Sequence, residues 1–331
     1  MRDTMRLDVP RTAMTFRYFG GMADKFEGTV IPVDQGFLNY TLRQPVGVVG
    51  QIVPWNFPLM FTSWKMGPAL AAGNTVVLKP AEQSPLSALR VAELAAEAGM
   101  PAGVFNVVPG FGETAGQALG RHMDVDAVSF TGSTEVGKLF LRYAGESNMK
   151  AVSLECGGKT PAIVFADAPD LDAAAKGAAE GIFYNSGQVC DASSRLLIEE
   201  KIHDAFLEKV SHLAARYEPG DPLNDDTRMG AMVDRTQTNR VLGYIAKGRE
   251  EGAALTLGGR QVRRVRRGRG ASLLRGALAG GARHRVLRPA RGRRWRHGVL
   301  RPGREPDDAV PRARVVLDRA LRPLRDRHRS R

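Results

Sequence analysis

The chain has 331 residues, a net charge of +13 and a pI near 10.2, a balance that taken whole points toward nucleic acid or an anionic membrane surface. Its location removes that reading: residues 260–331 hold 24 Arg, no Lys and five acidic residues, a net +19, so the first 259 residues are mildly acidic at −6. Two cysteines, Cys156 and Cys190, exclude a disulfide framework and fit a reduced, cytoplasmic setting.

In chain order, residues 2–26 read as a helix-like run, and Arg2, Asp3 and Arg6 leave no apolar segment for a secretory signal. The most apolar stretch, residues 45–61, is interrupted by Gln51, Pro54, Asn56 and Pro58, which excludes a bilayer span. From Val46 onward, short β-branched runs alternate with Ala-rich ones. VGVVGQIV, TVVLKP, VFNVVPG and DAVSFTG read as four strands. The clearest helix between them covers residues 86–100, with Ser84 as N-cap, Pro85 at the first helical position and Gly99 near the end. Such alternation predicts βαβ units and a mostly parallel sheet, which binds ligands at the carboxyl ends of its strands. A second block follows, with strands over 161–167 and 195–199 and helices over 171–184 and 205–217. In the last of these Phe206, Val210, Leu213 and Tyr217 share one face.

After Gly259 the composition changes. The segment lacks Lys, Phe, Tyr, Met, Ile, Asn, Thr and Cys, and a third of it is Arg. It cannot bury enough apolar surface to offset the entropy of ordering, so a disordered tail is expected. One reading is an arginine-rich arm for RNA or DNA, weakened by Trp295 standing alone where stacking platforms need several aromatics. The favoured reading is a GC-rich gene translated out of frame, and no nucleic-acid or membrane partner is expected.

Four motifs stand in order: GQIVPWNFPLMFTSWKMGPALAAGNTVVLKPAEQSP over residues 50–85, FTGSTEVG over 130–137, LECGGKTP over 154–161 and FYNSGQVC over 183–190. With these, the chain resembles the NAD(P)-dependent aldehyde dehydrogenases from about its first residues to Gly259, where the resemblance stops. The implied fold is α/β: a Rossmann-like NAD-binding domain over residues 1–156, N-terminally incomplete and with one assembly strand near 37–43, then a partial α/β catalytic domain over 157–259, then the tail over 260–331.

The resemblance implies oxidation of an aldehyde to a carboxylic acid, and the residues can be read chemically beside it. Cys190 follows a Gly-containing turn and precedes the β-rich run RLLIEE. A thiol suits attack on a carbonyl because its pKa near 8.5 is readily lowered. A lone Cys there would otherwise read as a buried structural residue, the reading kept for Cys156. By the resemblance, the thiolate forms a thiohemiacetal whose oxyanion is held by the Asn56 side-chain amide and the Cys190 N–H; alone, Asn56 reads equally well as a strand cap. Hydride loss then leaves a thioester, for which Glu155 is the general base that activates water, although without the motif it reads as a surface carboxylate. NAD is implied as cofactor, with NADP possible. Lys79 and Glu82 would hold the adenosine ribose, Glu82 disfavouring a 2′-phosphate. Gly132 and Ser133, at a strand-to-helix turn, would meet the pyrophosphate, and Val53, Pro54 and Trp55 would line the passage. No metal is implied.

Wording over residues 144–172 is similar to the branch acting on amino-aldehydes, γ-glutamyl-aminobutyraldehyde and betaine aldehyde among them. The resemblance also implies what is lacking. A front segment, the E-[IV]-F-G-P motif that holds the nicotinamide ribose and ring, and the later part of the catalytic domain are not found. Homo-oligomers are the rule among full-length relatives, but the partners of the assembly strand are gone. Weak or no activity is expected on this account, with an inactive remnant as the alternative to a working enzyme.

Overall fold

The computed structural model describes residues 2–262, so the expected disordered tail beyond them, with both of its readings, lies outside the described residues. The helix-like N-terminal run is a π-helical turn, Thr4–Asp8, leading into α1 (Val9–Gly20). Pro10 falls in the first turn of α1, where a missing N–H costs little. Two short strands then pair antiparallel, β1 (Val30–Ile31) with β2 (Asn39–Tyr40), the latter inside the expected assembly strand.

Five parallel strands make the main sheet: β3 (Val48–Ile52), β4 (Thr75–Lys79), β5 (Phe105–Val107), β6 (Ala127–Gly132) and β7 (Ala151–Cys156). They are joined through α2 (Pro58–Ala71), α3 (Leu86–Glu97), α4 (Gln117–Arg121) and α5 (Thr134–Gly145). The first four correspond to the four strands expected from the sequence. The fifth, β7, is added by the structure, and its residues alternate as a half-buried strand should: Val152, Leu154 and Cys156 pack against the core while Ser153 and Glu155 are exposed.

The strand order is β5-β4-β3-β6-β7. The chain runs outward from β3 to β5, then returns to β6 on the other side of β3. This reversal puts a crevice outside the carboxyl ends of β3 and β6, the place where doubly wound sheets bind ligands. Two apolar clusters clamp the sheet. One gathers Ile52, Val128, Phe130, Phe140 and Tyr143, and the other Val53, Phe57, Phe61, Val76 and Leu78. The expected cap of α3 is corrected: Ser84 Oγ is buried without a partner among the described residues, and Pro85 itself takes the N-cap position. Gly99, at φ +88°, ends that helix in a conformation that favours glycine.

After Cys156 the chain leaves this sheet. β8 (Pro161–Val164) pairs in parallel with β9 (Arg195–Ile198), and α6 (Leu171–Phe183) and α7 (His203–Ala214) pack on each other. Asp170 caps α6 by accepting from Asp172 N and Ala173 N, both at 2.9 Å. Phe206, Val210 and Tyr217 are buried and Leu213 packs beside them, as the helical spacing predicts. A final helix, α8 (Arg235–Glu250), starts at Asp234, whose carboxylate accepts from Gln237 N at 2.7 Å. Among the described residues no helix is long and apolar enough to cross a membrane.

Candidate functional site

The expected cofactor residues fall at the carboxyl ends of the sheet strands. Past β3, the Val53 N–H donates to Lys79 O at 3.1 Å and prolongs the β3–β4 ladder, while the Val53 side chain turns into the core. Pro54, Trp55 and Asn56 follow, half-buried, before α2 begins. At the end of β4, Lys79 is buried and its ammonium lies 3.2 Å from the carboxylate of exposed Glu82. At the end of β6, Ser133 caps α5, its Oγ accepting from Val136 N at 3.2 Å. A Cβ on Gly132 would stand 2.5 Å from the Phe130 ring, so only glycine lets the chain leave β6 here. A cation and a carboxylate beside one strand end, with a helix N-terminus beside another, form a donor set that fits the ribose hydroxyls and pyrophosphate of a dinucleotide.

The thiol lies on the turn after α6. Asn185 (φ +48°), Ser186 (φ +58°) and Gly187 (φ +70°) are three consecutive left-handed residues. Asn and Gly tolerate this region; Ser186 is held there by burial and by a bond from its Oγ to Gly230 O at 3.3 Å. Hydrogen bonds tie the turn to both neighbours. Toward the connection between β3 and α2, Asn56 Nδ2 donates to Gln188 O and Asn185 Nδ2 to Asn56 O, each at 3.0 Å. The rings of Phe57 and Tyr184 stack across the same junction. Toward the segment after β7, Gly158 N donates to Cys190 O at 3.0 Å. Asn56 and the turn bearing Cys190 are therefore joined directly, and the strand bearing Glu155 is tied to that turn two residues after it ends.

Cys190 is exposed, yet its thiol is raised above its ordinary value rather than lowered. Partial desolvation is the largest cause, and the Asp191 and Glu155 carboxylates add to it against two backbone hydrogen bonds. The sequence-based expectation of a readily lowered thiol is corrected on this point. Cys156 packs against the core, in keeping with its structural reading.

Glu155 lines a cavity of about 350 Å³ on the sheet face covered by α2, together with Gln51, Trp64, Lys65, Ser129 and Thr131. Lys65 is the residue that sequence reasoning missed. Its ammonium donates to Ser129 Oγ at 2.7 Å. Burial pulls its pKa down to about 8, and the Glu155 carboxylate opposes that fall. Its signal was present as the one charged side chain in the helix PLMFTSWKMGPALA. Among the described residues no group of three or more His, Cys, Asp or Glu is placed to hold a metal ion.

Comparison with known proteins gives a consistent result. Residues 1–273 match the model of the aldehyde dehydrogenase family, past the Gly259 boundary drawn from the sequence. The chain is 54% identical over 253 residues to mouse (Mus musculus) "aldehyde dehydrogenase, cytosolic 1", covering 76% of this chain and 50% of the relative. Among solved structures, PnpE in complex with nicotinamide adenine dinucleotide superposes with a TM-score of 0.77 at 57% identity, covering 79% of this chain and 53% of that one. A γ-glutamyl-γ-aminobutyraldehyde dehydrogenase from Burkholderia cenocepacia superposes equally well, at 55% identity over 79% of this chain and 52% of that one. The chain spans about half the length of the curated relatives it matches.

Proposed function

This chain belongs to the aldehyde dehydrogenase family, and from that premise we propose that it oxidises an aldehyde to a carboxylic acid with NAD, using Cys190 as nucleophile and Glu155 as general base. The observation that carries the reading is the pair of 3.0 Å hydrogen bonds between Asn56 and the Asn185–Gln188 turn. They bring a side-chain amide to the loop of an exposed thiol.

The Cys190 thiolate attacks the carbonyl carbon, and the π pair moves to oxygen. That oxyanion takes hydrogen bonds from the Asn56 amide and the Cys190 N–H. NAD, when bound, supplies the acceptor for the hydride that leaves the same carbon. Lys79 and Glu82 would hold its adenosine ribose, and Gly132 and Ser133 its pyrophosphate, with Val53, Pro54 and Trp55 beside the passage. Glu155 takes a proton from the water that cleaves the resulting thioester, and Lys65 steadies the carboxylate across their shared cavity.

The division into a dinucleotide-binding part up to Cys156 and a catalytic part from residue 157 is supported by the change of sheet at that point. An amino-aldehyde substrate is supported by the B. cenocepacia relative. A cytoplasmic setting is supported by the cytosolic designation of the mouse relative and by two unpaired cysteines. Self-association through β1 and β2 is supported by the exposure of Val30, Phe37, Leu38 and Leu42 around them.

A second reading, a remnant that binds nucleotide without turnover, is favoured by the raised Cys190 thiol. One experiment separates the two. The purified chain is mixed with NAD and an aldehyde, and NADH is followed at its absorbance band. Turnover that vanishes in Cys190→Ser supports the enzyme. Protection of Cys190 from alkylation by NAD, with no NADH formed, supports the remnant.

A further inference from the structure

Asn185 lies in the left-handed region (φ +48°, ψ +37°) and uses its side chain to bridge two segments. Its Nδ2 donates to Asn56 O at 3.0 Å and to Gln188 O at 3.5 Å. Gln188 completes the circuit: its Nε2 donates to Asn185 O at 3.2 Å and its Oε1 accepts from Val233 N at 3.0 Å. The Gln188 carbonyl also takes the Asn56 Nδ2. The Asn56 Oδ1, by contrast, is buried with no partner among the described residues.

This asymmetry fixes the direction of the Asn56 amide. Turning it over would set Oδ1 against the Gln188 carbonyl oxygen, two acceptors face to face. An amide nitrogen carries two N–H groups. One is engaged by the carbonyl of Gln188, two residues before Cys190 in the chain, which leaves the other free to donate.

Resting on the function proposed above, we propose that Asn185 and Gln188 are positioning residues that lock the Asn56 amide against the turn carrying Cys190, so that its free N–H is set before an aldehyde adds. In that addition the C–S bond forms, the carbonyl π bond opens, and the alkoxide then takes a proton from water to give the neutral thiohemiacetal. No oxidant is needed, so the step can be read without turnover.

The test measures alkylation of Cys190 by iodoacetamide in the full chain, with Cys156 as internal reference, over a range of propionaldehyde concentrations. Asn185→Gly keeps the left-handed turn accessible while deleting the bridge. It is expected to need about tenfold more aldehyde for half-protection, the scale of one misdirected hydrogen bond, with alkylation in the absence of aldehyde unchanged. Asn56→Ala should weaken protection at least as much, and adding Asn185→Gly to it should cause no further loss, because the effect runs through Asn56. Should Asn185→Gly melt early, Gln188→Met carries the same expectation without altering the φ of residue 185. Wild-type protection in both variants, or losses that add in the double variant, would overturn the positioning role alone. No protection of the wild-type chain would overturn the thiol reading and this proposal together.

Discussion

Lys65 and Glu155 line one cavity, and the Glu155 carboxylate opposes the burial that draws the Lys65 pKa from 10.5 down to about 8. The folded chain therefore releases this proton at lower pH than the unfolded chain does. Between pH 8 and 10.5 the unfolded state binds more protons, so stability contributed by this site rises with pH across that window. Below pH 8 the folded chain carries the ammonium in a desolvated place, at a cost of about 3 kcal/mol. Lys65→Met is thus expected to raise the melting temperature at pH 7 and to flatten the rise between pH 8 and 10.5, while slowing thioester hydrolysis. Melting curves at pH 7 and 9.5 check this, and a lower melting temperature at pH 7 would sink it.

Asp191 adjoins Cys190 and pushes its thiol up, second only to desolvation. Replacing the carboxylate by an amide of the same shape keeps the backbone bond that residue 191 makes and removes the repulsion. Asp191→Asn should therefore move the pH profile of Cys190 alkylation to lower pH, with alkylation of Cys156 followed in the same samples as internal reference. A profile that stays in place would mean that the Asp191 charge does not set the thiol.

The sheet was legible because its strands are short β-branched runs, and the motif positions fall where a doubly wound sheet places ligands. β7 was not, since KAVSLEC carries polar residues on one face, and only pairing with β6 makes a strand of it. Cys190, Asn56 and Glu155 could be named from their motifs. The raised thiol could not, because it depends first on partial desolvation and also on Glu155, both of which only folding brings about, Asp191 alone being a chain neighbour. Lys65 escaped for the same reason: it lies ninety residues from Glu155 in the chain and meets it across a cavity that no local pattern announces. Ser84 shows the reverse failure, where a local rule was outweighed by how the turn packs.

Glu82 pairs with Lys79 at 3.2 Å while remaining exposed. A dianionic 2′-phosphate brought to this pair would meet the Glu82 carboxylate, whereas ribose hydroxyls can donate to it. Glu82→Gln should narrow the preference for NAD over NADP by about tenfold, mainly by improving NADP binding. Competition of the two nucleotides in protecting Cys190 measures it, and an unchanged ratio would remove Glu82 from cofactor selection.

Gly132 joins the packing of the core to the crevice. A methyl there would meet the Phe130 ring at 2.5 Å, and that ring is 2% exposed and held against Phe140 with centroids 5.0 Å apart. It has no free space to move into, so Gly132→Ala is expected to cost about 1–3 kcal/mol of stability. The strain would also shift the site, because the Gly132 carbonyl accepts from Gly157 N at 3.2 Å, just past β7, and Ser133 begins α5 next to it. Ser133→Ala is the comparison, since it removes the cap, worth about 1 kcal/mol, without a clash. Denaturation midpoints and NAD protection of Cys190 should fall in both variants, further in Gly132→Ala. If Gly132→Ala unfolds at the wild-type midpoint, the close approach to Phe130 does not constrain this turn.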